Sequence, residues 1–330
     1  MADAFYHEPV LLEACLKALD IRPDGIYVDC TLGGGGHARA ILGRLGPDGL
    51  LFGVDQDADA VARASRPSEE GLALTEDPRF RLIDSNFSEL RRFLQWQGVQ
   101  QVQGILADLG VSSHQLDQSE RGFAFRFEEA LLDMRMDQRH GITAAQWLAE
   151  AEEKEIAEVL FLYGEIRQAR RLARDLVLAR AEQGLSTTGQ LKVVALKNAG
   201  AEKPSKFTAR VFQAIRIHLN HEMESLKALL EHSAYLLSQG GRLVVMSYHS
   251  LEDRMVKQYI QHGNVEGLDR HDLYGNPLRP FDPVKGRFLK ADPDENARNP
   301  RARSARLRVG IRNANQMESL ATELAKIMES

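Results

Sequence analysis

Four consecutive glycines at 33–36 are the feature that most constrains the fold of this chain. They follow an apolar run at 26–30, typical of a buried strand, and precede a helical stretch from His37 to Leu45. A glycine-rich turn between strand and helix is where an open parallel sheet binds its ligand. No Lys-Ser or Lys-Thr pair follows, which excludes the phosphate loop of nucleotide hydrolases. The turn therefore predicts a ligand site in an α/β domain.

The alternation of strand and helix continues through the first 110 residues. Apolar runs at 50–55, 80–83 and 104–107 indicate further strands, and the segments 57–64 and 88–96 between them indicate helices. Near-continuous apolar strands separated by helices are typical of parallel sheets buried on both faces. We therefore predict an α/β fold with a mostly parallel sheet and helices on both faces.

Beyond about Thr143 the pattern changes to helices alone. Apolar residues recur at helical spacing through 154–180, and another long helix is predicted over 208–230. Strand character then returns at 240–246. This order predicts a strand–helix domain that is interrupted by a helical insertion and then resumes.

The predicted limits of the two domains follow from these segments. The core takes 1–137 and 207–330, and the inserted all-α domain takes 138–206. Within the core, 263–300 is rich in Pro, Asn, Asp and Gly, which predicts a long functional loop. The segment 307–312 alternates at period two, as an antiparallel edge strand would.

The net charge of the chain does not indicate a nucleic-acid partner, because 42 Lys and Arg against 47 Asp and Glu leave a net charge of −5. Any such surface must be a local patch. One candidate is the segment 298–312, which holds six arginines and no acid. We predict phosphate contacts there from Arg301, Arg303, Arg306 and Arg308. The alternative is that these arginines pair with nearby acids, such as those in the sequence 292–295.

The compartment is predicted from what the chain lacks. Its two cysteines, Cys15 and Cys30, cannot form a disulfide framework or a four-cysteine zinc site. No apolar run approaches the roughly 18 residues of a membrane helix. The first residues have no apolar stretch like that of a signal peptide. We expect a cytoplasmic protein without a membrane partner.

The glycine turn is compatible with two cofactors. Gly33, Gly35 and Ala38 match the spacing of a dinucleotide fingerprint. S-adenosylmethionine (SAM) instead carries an ammonium and a sulfonium, and would gain from a carboxylate ahead of the glycines, where Asp29 stands. Asp55 ends the second predicted strand and suits the ribose of either cofactor. Asp29 therefore favours SAM.

Longer motifs run through nearly the whole chain in order. They are HEPVLL at 7–12, DCTLGGGGH at 29–37, DLGVSS at 108–113, QLD at 115–117, RGF at 121–123, LDMRMD at 132–137, SYHSLEDR at 247–254 and NPRARSARLR at 299–308. Together they resemble the bacterial ribosomal RNA small-subunit methyltransferase H (MraW) family. The resemblance implies a SAM-methyltransferase, Rossmann-like core with an inserted helical domain for substrate recognition.

The resemblance also implies an activity and a set of cofactor contacts. The activity is methylation of the N4 amino group of a cytidine in the decoding region of small-subunit (16S) rRNA, free or in the assembled subunit. No metal is needed, because the sulfonium already activates the methyl group. The implied cofactor contacts are Gly35, Gly36, His37, Asp55, Phe87, Asp108 and Gln115. Phe87 could pack on adenine or be a core aromatic, and Gln115 could be a solvated loop side chain.

The residue that orients the cytosine amino group stays open. Amino-methyltransferases often place Asp or Asn, two prolines and an aromatic after the fourth strand, whereas this chain has DLGV from Asp108. Asp108 could therefore serve only the cofactor, which leaves Asp133, Asp137 or His249 to orient the base. The acidic pair could instead form a structural ion pair with Arg135.

Two other functions are compatible with the glycine turn. An NAD-dependent oxidoreductase would bind NADH and would not act on RNA. A non-catalytic RNA-binding assembly factor would keep the fold without transferring a methyl group. The Asp29, glycine and Asp55 set argues against the second of these.

Overall fold

The computed structural model describes residues 9–67, 71–284 and 288–313. His7 and Glu8 of the first motif lie outside the described residues. The chain divides into two compact units, one formed by Met1–Gly110 with Glu224–Ser330 and the other by Val111–Met223. We describe each unit by itself.

The strands and helices of the described residues follow in chain order. The strands are β1 (Ile26–Asp29), β2 (Leu50–Asp55), β3 (Phe80–Asp84), β4 (Val102–Asp108), β5 (Leu237–Ser247), β6 (Phe281–Pro283) and β7 (Arg306–Arg312). The first α-helices are α1 (Leu12–Leu19), α2 (Gly36–Leu42), α3 (Ala58–Ala64), α4 (Leu90–Trp96), α5 (Ser113–Asp117), α6 (Ala144–Glu150) and α7 (Glu153–Leu162). The remaining α-helices are α8 (Ala169–Gln183), α9 (Thr188–Asn198), α10 (Pro204–Leu219), α11 (Glu222–Leu236), α12 (Ser250–His262) and α13 (Pro293–Arg298).

The described strands form one seven-stranded sheet in the order β3-β2-β1-β4-β5-β7-β6. Pairs among the first five strands are parallel, and β7 is antiparallel to both β5 and β6. The chain order reverses at β1, which lies between β2 and β4. The carboxyl ends of β1, β2 and β4 therefore stand side by side, at the edge where such sheets bind ligands.

Burial along the strands confirms the predicted α/β architecture. Leu51, Phe52 and Val54 of β2 are all at most 1% exposed, as are Ile105 and Leu106 of β4. Successive strand side chains point to opposite faces, so burial of neighbours means that both faces of the sheet are covered. The prediction of a mostly parallel sheet with helices on both faces is confirmed.

The structure corrects the prediction for the end of the chain. The segment 307–312 is not an edge strand, because β6 pairs with the far side of β7. The region 263–300 is likewise not a plain loop, since it contains β6 and α13. Phe281 of β6 is fully buried, with its ring centroid 6.2 Å from that of Tyr259, and this packing anchors the short strand.

The second unit is helical and covers a longer stretch of the chain, Val111–Met223, than the predicted insertion of 138–206. Leu132 and Met134, before these limits, and Val211 and Ile215, after them, are buried in one apolar cluster with Leu160. The unit therefore builds its core from residues on both sides of the predicted insertion.

Two of the predicted helices are each divided into a pair of helices. The segment 154–180 breaks between α7 and α8, where Glu165 has a φ of 50°. The segment 208–230 breaks between α10 and α11, where His221 has a φ of 49°. Asn220 stabilises this second turn, because its side chain donates to the Met134 carbonyl at 2.8 Å and accepts from the Met136 N–H at 2.7 Å. Apolar spacing continues across both breaks, so periodicity alone does not reveal them.

Among the helices that the structure describes, none combines the length and apolar character that spanning a bilayer requires.

Candidate functional site

Three carboxylates end neighbouring strands of the sheet. Asp29 is the last residue of β1, Asp55 of β2 and Asp108 of β4. In the strand register Asp29 lies opposite Gly53 and Leu106. The structure therefore brings together the three acidic residues that the sequence placed at strand ends.

Asp29 is almost completely enclosed, at 1% exposure. Its Oδ1 accepts from the Thr31 N–H at 3.2 Å, whereas its Oδ2 has no hydrogen-bond partner among the described residues. Burial, together with the neighbouring Asp55 carboxylate, raises the pKa of Asp29 to about 7, although the Thr31 hydrogen bonds oppose the rise. A buried carboxylate with an unsatisfied oxygen is costly unless a donor or a cation meets it.

Asp55 orders the glycine turn. Its Oδ2 accepts from the Gly33 N–H at 2.8 Å, and its Oδ1 accepts from the Asp57 N–H at 2.9 Å. Burial raises the pKa of Asp55 to about 6, against these backbone hydrogen bonds. The carboxylate is therefore fixed in orientation by backbone N–H groups.

Asp108 is held from two sides. Its backbone N–H donates to the Thr31 Oγ1 at 2.7 Å, and its Oδ1 accepts from the Tyr248 hydroxyl at 2.7 Å. The pKa of Asp108 is raised to about 7, because burial and the charges of Asp29 and Glu252 together outweigh the hydrogen bond from Tyr248, which lowers it. Thr31 and Tyr248 thus fix the position of this carboxylate.

The glycines at the start of α2 cannot be replaced without local movement. Gly35 has a φ of 82°, and a Cβ there would come 2.7 Å from the Leu74 Cδ1. A Cβ on Gly36 would come 2.3 Å from the Pro9 Cγ. At Gly33 the nearest neighbour would be 3.8 Å away, but the φ of 48° disfavours a side chain. The turn therefore brings backbone, rather than side chains, to the carboxyl edge.

His37, predicted to contact the cofactor, is 7% exposed and its Nε2 lies 3.2 Å from the Val10 carbonyl. Burial lowers the pKa of His37 to about 4, despite that hydrogen bond, so the ring is neutral at pH 7. A neutral ring that donates from Nε2 has no proton on Nδ1. Any donation by this residue to a ligand must therefore come from its backbone N–H.

Phe87 and Gln115 have different surroundings. Phe87 is half-buried in a short 3₁₀ turn after β3, so part of its ring stays accessible. Gln115 belongs to the helical unit and is 5% exposed, which rules out a solvated loop side chain. It forms a capping box at α5, accepting from the Ser112 N–H at 2.9 Å.

The other residues considered for orienting a base are engaged in ion pairs. Asp133 makes a bidentate ion pair with Arg135, whose Nε donates to Oδ1 at 2.8 Å and whose Nη2 donates to Oδ2 at 2.9 Å. Asp137 contacts Arg139 at 2.8 Å and His140 at 2.9 Å. The pairing that the sequence offered as the alternative for Asp133 is therefore present in the structure.

His249 stands at the N-cap of α12 in the strand–helix unit. Its Nδ1 accepts from the Glu252 N–H at 3.4 Å, and its Nε2 lies 3.1 Å from the Glu252 Oε1. These contacts give His249 a structural role, in which its side chain caps the start of α12.

The terminal arginines differ from one another. Arg306 Nη1 lies 2.6 Å from Asp253 Oδ2, and Arg308 Nε lies 2.7 Å from Asp253 Oδ1. Arg303 is exposed, and Arg301 is half-buried. The acid that meets Arg306 and Arg308 comes from α12 and is not among those considered in 292–295.

Comparison with known proteins decides the family. The MraW methylase family model matches residues 4–313. The chain belongs to the MraW methylase family. Two relatives, both named ribosomal RNA small subunit methyltransferase H, are similar to this chain over nearly its whole length. The one from Bacteroides fragilis is 48% identical over 304 residues, which cover 92% of this chain and 96% of that protein. The one from Flavobacterium johnsoniae is 49% identical over 304 residues, which cover 92% and 97%.

A solved rRNA methylase from Streptococcus thermophilus also aligns with this MraW family chain, over 92% of it and 94% of that chain. The alignment has a TM-score of 0.39 and 13% sequence identity, which is too distant to bear on function.

The MraW family methyl donor is SAM, and the carboxyl edge fits it. Asp29 is buried, Asp55 and Asp108 are half-buried, and none of the three is paired with a Lys or Arg side chain among the described residues. An ammonium and a sulfonium supply the positive charge that such a group lacks. The dinucleotide alternative, whose pyrophosphate would add negative charge, is wrong for this chain.

SAM affinity should rise with pH through the range in which these carboxylates titrate. Their raised pKa values keep them partly protonated near pH 6, and a cation binds only their ionised forms. The affinity should increase from pH 5.5 to 7.5, by up to about tenfold per unit for each proton released. Calorimetry in two buffers of different ionisation enthalpy measures the released protons. Asp55→Asn should lower their number, and a pH-independent affinity would contradict the assignment.

Tyr248, Thr31 and Asp253 are the residues that sequence reasoning did not assign. Tyr248 directly follows β5, so its position at the carboxyl edge was a signal available beforehand. The partners of Thr31 and Asp253 are more than 50 residues away in the chain, and no local pattern identifies them.

Proposed function

We propose that this chain transfers a methyl group from SAM to the N4 amino group of a cytidine in the decoding region of small-subunit rRNA. The names of its relatives at 48% and 49% identity support an rRNA substrate. The observation that carries the proposal is the geometry of Asp108, whose Oδ1 is held by Tyr248 at the carboxyl edge. Its other oxygen can then accept from the acceptor amino group.

The chemistry sets clear demands on the residues at this edge. A cytosine amino group has its lone pair conjugated into the ring, and SAM supplies a methyl group already activated by its sulfonium. Asp108 accepts a hydrogen bond from the N4–H and turns the nitrogen lone pair toward the methyl carbon. As the N–C bond forms and the C–S bond breaks, the proton leaves nitrogen for the free Asp108 oxygen. Base catalysis of this kind contributes about 10²- to 10⁴-fold.

The proposal assigns the remaining roles as follows. Asp29, Asp55, Gly33, Gly35 and Gly36 hold the cofactor at the carboxyl edge. The helical unit recognises the RNA. The enzyme acts in the cytoplasm, on the rRNA either free or in the assembled small subunit.

The decisive experiment is incubation with methyl-labelled SAM and either small-subunit rRNA or small-subunit particles. The label should appear on one cytidine of the decoding region, as N4-methylcytidine after digestion to nucleosides. A non-catalytic assembly factor would bind the particle and transfer no label. Label on a ring carbon or on a ribose oxygen would contradict the amino-group chemistry.

Replacing Arg301 and Arg303 by Ala should weaken RNA binding and flatten its dependence on salt. These two residues belong to the acid-free arginine run, and Arg303 is exposed. Each lost phosphate contact should lower the slope of log affinity against log salt by roughly 0.7–0.9. SAM affinity, measured on the same preparation, should stay at the wild-type value. An unchanged salt slope would remove these arginines from the RNA surface.

A further inference from the structure

We infer that Tyr248 is a positioning residue that fixes the Asp108 carboxylate and favours its ionised form. Its hydroxyl donates to the Asp108 Oδ1 at 2.7 Å. The consequence for catalysis rests on the proposed function, whereas the effect on Asp108 itself does not.

Tyr248 is anchored at both ends. It follows directly on β5, which pairs with β4 so that Met246 lies opposite Asp108. The backbone N–H of Tyr248 donates to the Glu252 Oε2 at 2.9 Å, which ties the residue to the start of α12. Its ring packs against the apolar cluster that contains Cys15 and Met246. The strand pairing, the backbone hydrogen bond and the packing of the ring together hold the hydroxyl beside Asp108.

The charges around Asp108 make this hydrogen bond important. Asp29 faces it from β1, Glu252 from α12 and the thiol of Cys15 from α1. None of these groups stabilises a carboxylate, and the two acids oppose its ionisation. Among the described residues, the Tyr248 hydroxyl is the side-chain group that lowers the pKa of Asp108. It also leaves Oδ2 as the oxygen for an incoming N–H.

The test is Tyr248→Phe, which keeps the ring and removes the hydroxyl. With SAM and small-subunit particles, kcat should fall by roughly 10- to 100-fold, as expected for a lost hydrogen bond to a charged group. The KM for SAM should change much less. The acid limb of the kcat profile should also move to higher pH, because the ionised carboxylate loses a donor. Simple loosening of the fold would not shift that limb.

Tyr259→Phe is the matched control. Tyr259 is a buried tyrosine of the same unit, and the groups that face it are Glu231, Tyr235 and Arg312. This variant should keep the wild-type kcat and pH profile. Thermal unfolding of all three proteins identifies any general loss of structure.

A second measurement decides the inference even if the proposed function fails. Carbon-13 NMR of labelled aspartate carboxyls, with Asp108→Asn for assignment, gives the pKa of Asp108 directly. That pKa should be higher in Tyr248→Phe than in the wild type. If the pKa does not change, the inference is overturned whatever the activity. If the wild type labels no RNA, the proposed function falls, and the NMR titration still decides the role of Tyr248.

Discussion

Asp108→Asn should lower the rate of methyl transfer by about 10²- to 10⁴-fold, the range attributed to a positioned proton acceptor. The amide is nearly isosteric, and its oxygen can still accept from the Tyr248 hydroxyl, as Oδ1 of Asp108 does at 2.7 Å. What is lost is the second carboxylate oxygen, because an amide nitrogen cannot accept the amino proton. Single-turnover transfer from labelled SAM to small-subunit particles measures the effect without interference from product release.

Asp48→Asn is a suitable control, since Asp48 is an exposed acid in the turn before β2. It should transfer methyl groups at the wild-type rate. SAM affinity should fall in Asp108→Asn, because one of the three carboxylates at the carboxyl edge is removed, so the transfer rate is compared at saturating SAM. A wild-type rate there would move the orienting role to Asp133, Asp137 or His249.

The sequence was sufficient for the strand–helix unit because its central strands β1, β2 and β4 are buried on both faces. Such strands are continuous apolar runs, and the runs at 26–30, 50–55, 80–83 and 104–107 correspond to β1 to β4. The short strand β6 has only three residues, two of them exposed, and gives no comparable signal. That is why β7 was predicted at an edge that β6 in fact covers.

The site was only partly predictable for a related reason. Topology alone places the last residues of β1, β2 and β4 together, so Asp29, Asp55 and Asp108 could be grouped from the sequence. The pairing of side chains across long stretches of chain depends on packing that no local pattern encodes. The Tyr248–Asp108 hydrogen bond joins residues 140 positions apart. The arginine run shows the same limit, because its acidic partner lies on α12.

Asp253→Ala should destabilise the strand–helix unit by about 3 kcal/mol, near the lower end for breaking a buried ion pair. The Asp253 side chain is 9% exposed and meets Arg306 at 2.6 Å and Arg308 at 2.7 Å, so that one carboxylate joins α12 to β7. Its loss leaves Arg308, at 10% side-chain exposure, without that charge partner. The expected fall in Tm is roughly 6–12 °C for a unit of this size, measured by calorimetry.

The pH dependence and a control separate this ion pair from an ordinary surface contact. Burial raises the pKa of Asp253, but Arg308 and Arg306 outweigh burial and lower it overall. Its contribution is therefore present above the unfolded pKa of about 4 and disappears as the pH falls through the lower folded value. Glu13→Ala removes an exposed partner of Arg44 and should change stability by less than about 1 kcal/mol. If Asp253→Ala were equally mild, Arg306 and Arg308 would not be held by Asp253. Both would then become candidates for the phosphate contacts that we propose for Arg301 and Arg303.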